Sequence, residues 1–145
     1  MKMQIGVVTL AAILCCGVHM QAADAPARSA AQVAHDEAQE LLKERDAARP
    51  KAKAAEQKLR EAGARPESLG FENAKALRDK QAASGAKATA YDRYAKTAKQ
   101  IEKKIKDEVE RGVQPVIATD IARFERLQAE VDLARLAGRL PAQEN

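Results

Sequence analysis

The feature that most constrains this chain is a run of mostly small or apolar side chains that recur every three or four residues through its middle. This interval matches the 3.6-residue turn of an α-helix, so the side chains share one stripe of the helix surface. The stripe comprises Phe71, Ala74, Leu77, Gln81, Ser84, Ala88, Tyr91, Ala95, Ala98, Ile101, Ile105 and Val109. We predict one long helix over residues 67–111, closed by Gly112 and Pro115, with Gly85 as a weak point inside it.

A first helix is predicted over residues 29–62. Ser29 stands three residues before Gln32, the spacing of a capping box, which satisfies two backbone N–H groups at a helix start. Pro50 disfavours helical geometry in the residue before it, so we expect a break there. Gly63, with a proline three residues later, indicates the end of this helix.

A third helix is predicted over residues 116–137, ended by Gly138 and Pro141. Its apolar residues also recur at intervals of three and four, which places them on one face. That face carries Ile117, Ile121, Phe124, Leu127, Val131 and Ala134.

The composition points to the same fold class. The chain of 145 residues is 32% charged and only 3% aromatic, and it has no tryptophan, which argues against a β-sandwich or β-barrel. We predict an all-α fold without β-structure, either an elongated coiled-coil helical hairpin or a three-helix antiparallel arrangement. The alanine-rich stripes bury little apolar area per contact, so we expect modest stability of the monomer and packing against other helices.

Residues 1–23 have the pattern of a secretory signal peptide. Lys2 supplies the positive start, the stretch from Ile5 to Val18 is apolar, and the small residues Ala22 and Ala23 mark the expected cleavage site. The apolar stretch is shorter than the roughly 20 residues that span a bilayer. We therefore expect a periplasmic or secreted protein.

Both cysteines, Cys15 and Cys16, lie in this segment, so the mature chain would have no thiol. Lipidation of a cysteine and retention of the segment as a membrane anchor are the alternatives. Residues 24–28 contain a proline and no periodic pattern, and we expect a flexible lead-in there. Residues 139–145 are expected to form a tail.

The mature sequence offers no set of residues for catalysis. His35 is its only histidine, and its three serines are Ser29, Ser68 and Ser84. One imidazole without a second histidine or facing carboxylates lacks the coordination number of a metal site, and no nucleophile arrangement can be assembled. We predict a non-enzymatic protein without a cofactor or metal.

Two sets of residues are candidates for binding. The first is the helix-packing interface, with knob-in-hole packing as its role: Tyr91, Ile101, Ile105, Val109, Ile117, Ile121, Phe124, Leu127 and Val131. The second is a lysine face that could contact a polyanion: Lys96, Lys99, Lys103 and Lys106. Lys96, Lys103 and Lys106 each have an acidic residue four positions away, a pairing that explains these lysines as part of a solvated helix face. We expect no nucleic acid partner.

The stretch over residues 94–140 resembles the C-terminal coiled-coil portion of the TolC-type outer-membrane efflux family. The resemblance is carried by the glycine that ends a long helix, Gly112, by the pair Asp120-Ile121, and by the closing run Ala137-Gly138-Arg139-Leu140. It implies an exported helical-hairpin element of an efflux or secretion assembly. The family builds its pore partly from transmembrane β-strands, and no alternating segments of about ten residues occur here. The resemblance therefore implies an accessory or truncated element.

The sequence leads to two functional hypotheses. The first is an exported, non-enzymatic coiled-coil protein that packs against partner helices, either copies of itself or a cell-envelope assembly of the efflux type. The alternative is a periplasmic module that binds a polyanion or the envelope through its lysine face, with peripheral envelope association.

Overall fold

The computed structural model describes residues 29–142. In that range the chain forms α1 (Ala30–Glu61), a short 3-10 helix (Pro66–Leu69), α2 (Phe71–Ala83), α3 (Lys87–Glu110) and α4 (Ala118–Leu136), and no strand. The predicted all-α fold is confirmed. The expected signal peptide with Cys15 and Cys16 and the expected lead-in lie outside the described residues. Among the helices of residues 29–142, none combines the length and apolar character needed to span a membrane.

The start of α1 has the predicted capping box. The Ser29 hydroxyl accepts a hydrogen bond from the backbone N–H of Gln32 at 3.2 Å, and the Gln32 side-chain oxygen accepts one from the backbone N–H of Ser29 at 2.9 Å. These two bonds satisfy N–H groups that the helix itself leaves without acceptors. Local sequence is therefore sufficient to place this end of the helix.

The middle of α1 differs from the prediction, because the helix continues through Pro50 without a break. A proline inside a helix removes one backbone hydrogen bond and costs about 3 kcal/mol. Pro50 is exposed, whereas Ala48 and Ala52 on either side of it are buried. We attribute the continuity to packing on both sides of the proline. The buried residues of α1 are Ala38, Arg45, Ala48, Ala52, Ala55 and Leu59.

The long helix predicted over residues 67–111 is divided into the 3-10 helix, α2 and α3. The division between α2 and α3 occurs at Gly85, whose φ is 91°. Backbone in this left-handed region ends a helix, and glycine adopts it without the penalty that other residues meet. The reversal lets α2 fold back along α3, where Arg78 of α2 reaches Tyr91 and Tyr94 of α3.

A tight hairpin joins α3 to α4. The backbone N–H of Gly112 donates to the carbonyl of Val109 at 2.9 Å, and that of Val113 donates to the carbonyl of Glu108 at 2.8 Å. This pair of bonds is a Schellman motif, which satisfies the last carbonyls of a helix. α4 then begins at Ala118 rather than at the predicted residue 116 and runs antiparallel to α3.

α4 lies between α1 and α3 and packs along both of them, while α2 packs along α3 and reaches α4 through the ion pair of Lys75 with Glu125. This position explains why α4 contains many of the small buried residues. Its buried residues are Ala118, Ile121, Ala122, Leu127, Ala129, Val131 and Ala134. The arrangement has four α-helices in residues 29–142, one more than the three-helix alternative.

The chain after α4 folds back onto the start of α1. Leu140 is buried in a small apolar cluster with Ala38 and Val131. His35 of α1 hydrogen bonds through Nδ1 to the carbonyl oxygen of Arg139 at 2.8 Å. The first part of the predicted tail is therefore docked on the helices.

Candidate interaction surfaces

The residues predicted for the helix-packing interface pack against helices of the same chain. Ile105, Ile121, Leu127 and Val131 are buried. The others, Tyr91, Ile101, Val109, Ile117 and Phe124, are partly buried. The main apolar cluster brings Ile105 and Ile121 together with Ile101, Val109 and Ile117 around them. Packing within the chain therefore covers much of the predicted interface.

Tyr94 is the aromatic residue at the centre of the helices, and it was not among the predicted interface residues. Its side chain is 3% exposed, and its hydroxyl has no hydrogen-bond partner among residues 29–142. Burial and the nearby carboxylate of Glu125 raise the pKa of Tyr94 to about 12, against the opposing effect of Lys75 and Arg78. Tyr94 lies four residues before Ala98 and eleven before Ile105. This helical spacing places the three side chains on one face, so it could have identified Tyr94 as buried from the sequence.

Arg78 covers the two tyrosines of α3. Its guanidinium carbon lies 4.8 Å from the ring centre of Tyr94 and 5.1 Å from that of Tyr91, within cation–π range. The same guanidinium forms an ion pair with Asp79 at 2.7 Å. Tyr91 is therefore partly covered by α2 and is not a free stacking platform.

Lys75 joins α2 to α4. Its Nζ lies 2.8 Å from Glu125 and 3.0 Å from Glu72. Burial lowers the pKa of Lys75, but hydrogen bonds to the two carboxylates outweigh it, and the pKa is raised above its ordinary value. Lys75 therefore remains charged and holds the start of α2 on α4.

The lysine face is largely neutralised by acidic residues. Lys96 pairs with Asp92 at 2.7 Å, and Lys99 pairs across to α4 with Glu130 at 2.9 Å. Lys106 pairs with Glu102 at 2.9 Å. Lys103 is exposed, and no ion pair of it is found in the described part of the chain. Polyanion binding through these side chains would compete with ion pairs that already exist.

Glu102 and Arg126 form the centre of an ionic seam between α3 and α4. The Nε of Arg126 lies 2.5 Å from Glu102, and its Nη1 lies 2.7 Å from Glu130. Burial raises the pKa of Glu102, but the hydrogen bond from Lys106 and the charge of Arg126 outweigh it, so the pKa lies below its ordinary value. The seam aligns the two helices in one register.

A second network of polar side chains links α1 to α4. The buried Arg45 donates to Asp46 at 2.6 Å and to the side-chain oxygen of Gln128 at 3.4 Å, and Gln128 donates to Asp132 at 2.7 Å. Burial raises the pKa of Asp132, and the hydrogen bond from Gln128 and the nearby arginines offset this only in part. The charged form of Asp132 is therefore disfavoured in the folded chain.

A groove of about 550 Å³ runs between α1 and α3 on the surface of α4, and we call it the α1–α3 groove. Small and apolar side chains from all three helices line it, including Ala34, Leu41, Ala95, Leu133 and Ala137. Charged side chains also line it, namely Glu37, Asp92, Lys96, Lys99, Glu130 and Arg139. An apolar lining flanked by charges is the usual anatomy of an interaction site.

The hairpin tip, residues 112–116, is the most apolar exposed turn of the described chain. Val113 is 67% exposed and Val116 is 72% exposed, and exposed Pro115 stands between them. Connecting turns are ordinarily polar, so two exposed valines three residues apart at one turn are unusual.

In residues 29–142 no group of three or more histidine, cysteine, aspartate or glutamate side chains is placed to hold a metal ion. His35, the only histidine in residues 29–142, is hydrogen bonded to the chain after α4. Comparison of the chain with protein families, with characterised proteins and with solved structures found no match.

Proposed function

We propose that this chain is an exported, non-enzymatic helical protein that binds helices of partner proteins in the cell envelope. The observation that carries the proposal is the α1–α3 groove. α1 and α3 both pack on α4, yet between Ala34 and Leu41 of α1 and Ala95 of α3 the surface of α4 remains open. An apolar surface between two helices is the surface against which a further amphipathic helix packs.

More specifically, we propose that the chain is an accessory or truncated element of an outer-membrane efflux assembly. Its support is the resemblance of residues 94–140 to the coiled-coil portion of the TolC-type family. That stretch corresponds to most of α3, the hairpin and α4, together with Leu140, which packs on α1. In this proposal the hairpin is the element that the assembly recognises.

The test is chemical crosslinking in intact envelopes followed by capture of the protein. Ala137 is exposed and lines the groove, so Ala137→Trp fills the groove without entering the core. Ala76 is an exposed alanine of α2 outside the groove, and Ala76→Trp is the matched control. We expect the first variant to lose its crosslinked partner and the second to keep it. Equal crosslinking by both variants contradicts the groove as the binding surface.

The alternative, a polyanion- or envelope-binding module, has weaker support because Lys96, Lys99 and Lys106 are ion-paired within the chain. Salt dependence separates the two functions. Contacts of lysine with phosphate weaken steeply as salt rises, whereas apolar helix packing persists. Envelope association that disappears between low and moderate salt, and that is reduced by Lys103→Ala, would favour the alternative.

A further inference from the structure

A second groove, with a volume of about 360 Å³, lies between α2 and α3, and we call it the α2–α3 groove. Ala74, Leu77 and Gln81 line it from α2, and Ala90 and Thr97 line it from α3. On each helix these positions are three, four or seven residues apart. Each helix therefore presents one stripe of its surface to the groove.

The charged side chains that line this groove are all basic. Arg78 comes from α2, Arg93 and Lys96 come from α3, and no aspartate or glutamate of residues 29–142 lines it. Arg78 pairs with Asp79 at 2.7 Å, and Lys96 pairs with Asp92 at 2.7 Å. Arg93 is exposed and has no ion pair within the described residues. The groove therefore keeps a positive charge after these two ion pairs are taken into account.

The excess positive charge of the whole chain is concentrated beside this groove. Residues 71–100, from the start of α2 to the last residue that lines the groove, contain seven lysines or arginines and three aspartates or glutamates. The chain has 25 basic and 21 acidic residues in total, so the rest of it contains eighteen of each. A partner attracted by net charge is therefore acidic, and it is steered towards α2 and α3.

Arg78 is held in place before any partner binds. Its guanidinium carbon lies 4.8 Å from the ring centre of Tyr94 and 5.1 Å from that of Tyr91. Its side chain is only 16% exposed. A cation fixed in this way loses little conformational entropy when a carboxylate approaches it.

The groove also contains an exposed apolar side chain. Leu77 stands in the middle of the α2 stripe and is 56% exposed. A polyanion without apolar groups would leave Leu77 in water. An occupant with an apolar face removes it from water, which is favourable.

The groove is long and open along its α3 side. This side runs from Ala90 to Gln100, which at the helical rise per residue is about 15 Å, or nearly three turns. Arg93, Lys96 and Gln100 are all exposed along it. A pocket for a small molecule instead encloses most of its ligand. A long open groove between two helices is the kind of surface on which an amphipathic helix lays its apolar face.

From the single sign of the lining charges, the exposed leucine and the length of the groove, we infer that the α2–α3 groove binds an acidic amphipathic helix of a partner protein. The apolar face of that helix covers Leu77, and its carboxylates lie beside Arg93 and Arg78. The inference goes beyond the proposed function, which depends on the α1–α3 groove, because it assigns a second surface and the charge of its partner.

Peptide binding to the full-length protein tests the role of charge. The probe is a fluorescent amphipathic peptide of about 18 residues with leucines on one face and glutamates on the other. Two matched peptides carry glutamine or lysine in place of glutamate. In fluorescence anisotropy at low salt, the glutamate peptide should bind roughly tenfold more tightly than the glutamine peptide, and salt should reduce the difference. Equal or tighter binding of the glutamine or lysine peptide at low salt overturns the inference.

Substitutions at exposed positions test where the peptide binds. Arg93→Gln should weaken binding of the glutamate peptide roughly threefold to tenfold and leave that of the glutamine peptide unchanged. Leu77→Ser should weaken binding of both peptides, because the apolar contact is lost. The matched controls are Arg65→Gln, between α1 and the 3-10 helix, and Val116→Ser, at the hairpin tip. Circular dichroism verifies that each variant is folded. Equal weakening by the controls overturns the inference.

An anionic lipid surface and a second copy of the chain are the competing occupants. Vesicles that contain phosphatidylglycerol test the first, and sedimentation of the purified protein tests the second. If Arg93→Gln and Leu77→Ser abolish vesicle binding or self-association while the glutamate peptide does not bind, the inference is wrong. The proposed function is tested separately by Ala137→Trp in intact envelopes. Loss of the crosslinked partner by that variant, without binding of the glutamate peptide, would reject the inference and leave the proposed function standing.

Discussion

Arg126 of α4 donates through Nε to the carboxylate of Glu102 on α3 across 2.5 Å, and Glu102 is one of two charged residues that are buried in residues 29–142. A buried carboxylate is costly unless cations and donors surround it. Here Lys106 lies 2.9 Å from its other oxygen. The alignment of α3 with α4 therefore depends on the ionised carboxylate of Glu102.

Glu102→Gln should destabilise the fold by about 2 kcal/mol at neutral pH, because Arg126 loses its charged partner at a partly buried position. The stabilisation by Glu102 is present above the unfolded pKa of about 4.3. It is lost as the pH falls through the lower pKa of the folded chain. Urea unfolding at several pH values measures both effects. The exposed Asp107→Asn is the control, and an equal loss from it would refute the role of Glu102.

Asp132→Asn should act in the opposite direction. Burial raises the pKa of Asp132, so the folded chain holds this proton more tightly than the unfolded chain does. Its stabilisation is present below the unfolded pKa of about 3.9 and is lost as the pH rises through the folded pKa. We expect Asp132→Asn to raise the free energy of unfolding at neutral pH by up to about 1 kcal/mol. A clear loss of stability at pH 7 would contradict this.

Ile105→Asp should cost roughly 3 kcal/mol or more, because it places an unpaired charge in the apolar cluster and removes the burial of Ile105. Lys103→Ala, on the exposed side of the same helix, should stay within about 0.5 kcal/mol. Thermal and urea unfolding of the two variants provide the comparison. Similar losses would mean that the buried face of α3 is assigned wrongly.

Gly85→Ala distinguishes a hairpin from a continuous helix. In a helix over residues 67–111, alanine would stabilise by about 1 kcal/mol. With a φ of 91° at Gly85, the added Cβ should instead destabilise by roughly 1 kcal/mol. The sign of the change in the free energy of unfolding is the readout. Ala88→Gly, an exposed position in the first turn of α3, is a control that should destabilise modestly under either arrangement.

Export can be checked by the mass of the protein recovered from envelope or periplasmic fractions. Cleavage after Ala22 or Ala23 should give a mature chain that begins at Ala23 or Asp24. Lipidation at a cysteine would add the mass of acyl chains to a longer fragment. An intact Met1 in all of the recovered protein would remove the proposal of a cleaved signal peptide.

The sequence by itself determined the features that depend on neighbouring residues. The all-α class follows from periodicity and composition, and the ends of helices at Ser29, Gly63 and Gly112 follow from capping bonds within a few residues. Such bonds form between atoms close along the chain, so they can be predicted without the rest of the fold. Ion pairs between a lysine and an acidic residue four positions away, such as Lys96 with Asp92, are also local and can be predicted from the sequence.

Only the tertiary structure decided the outcomes at Pro50 and Gly85. At Pro50 the packing of Ala48 and Ala52 keeps the helix continuous, whereas at Gly85 a backbone reversal allows Phe71 and Tyr94 to share one core. It also decided that the apolar stripes are covered by helices of the same chain, leaving the groove and the hairpin tip exposed. The physical reason is that burial is a property of the whole set of packed helices, and no single stretch of sequence contains it.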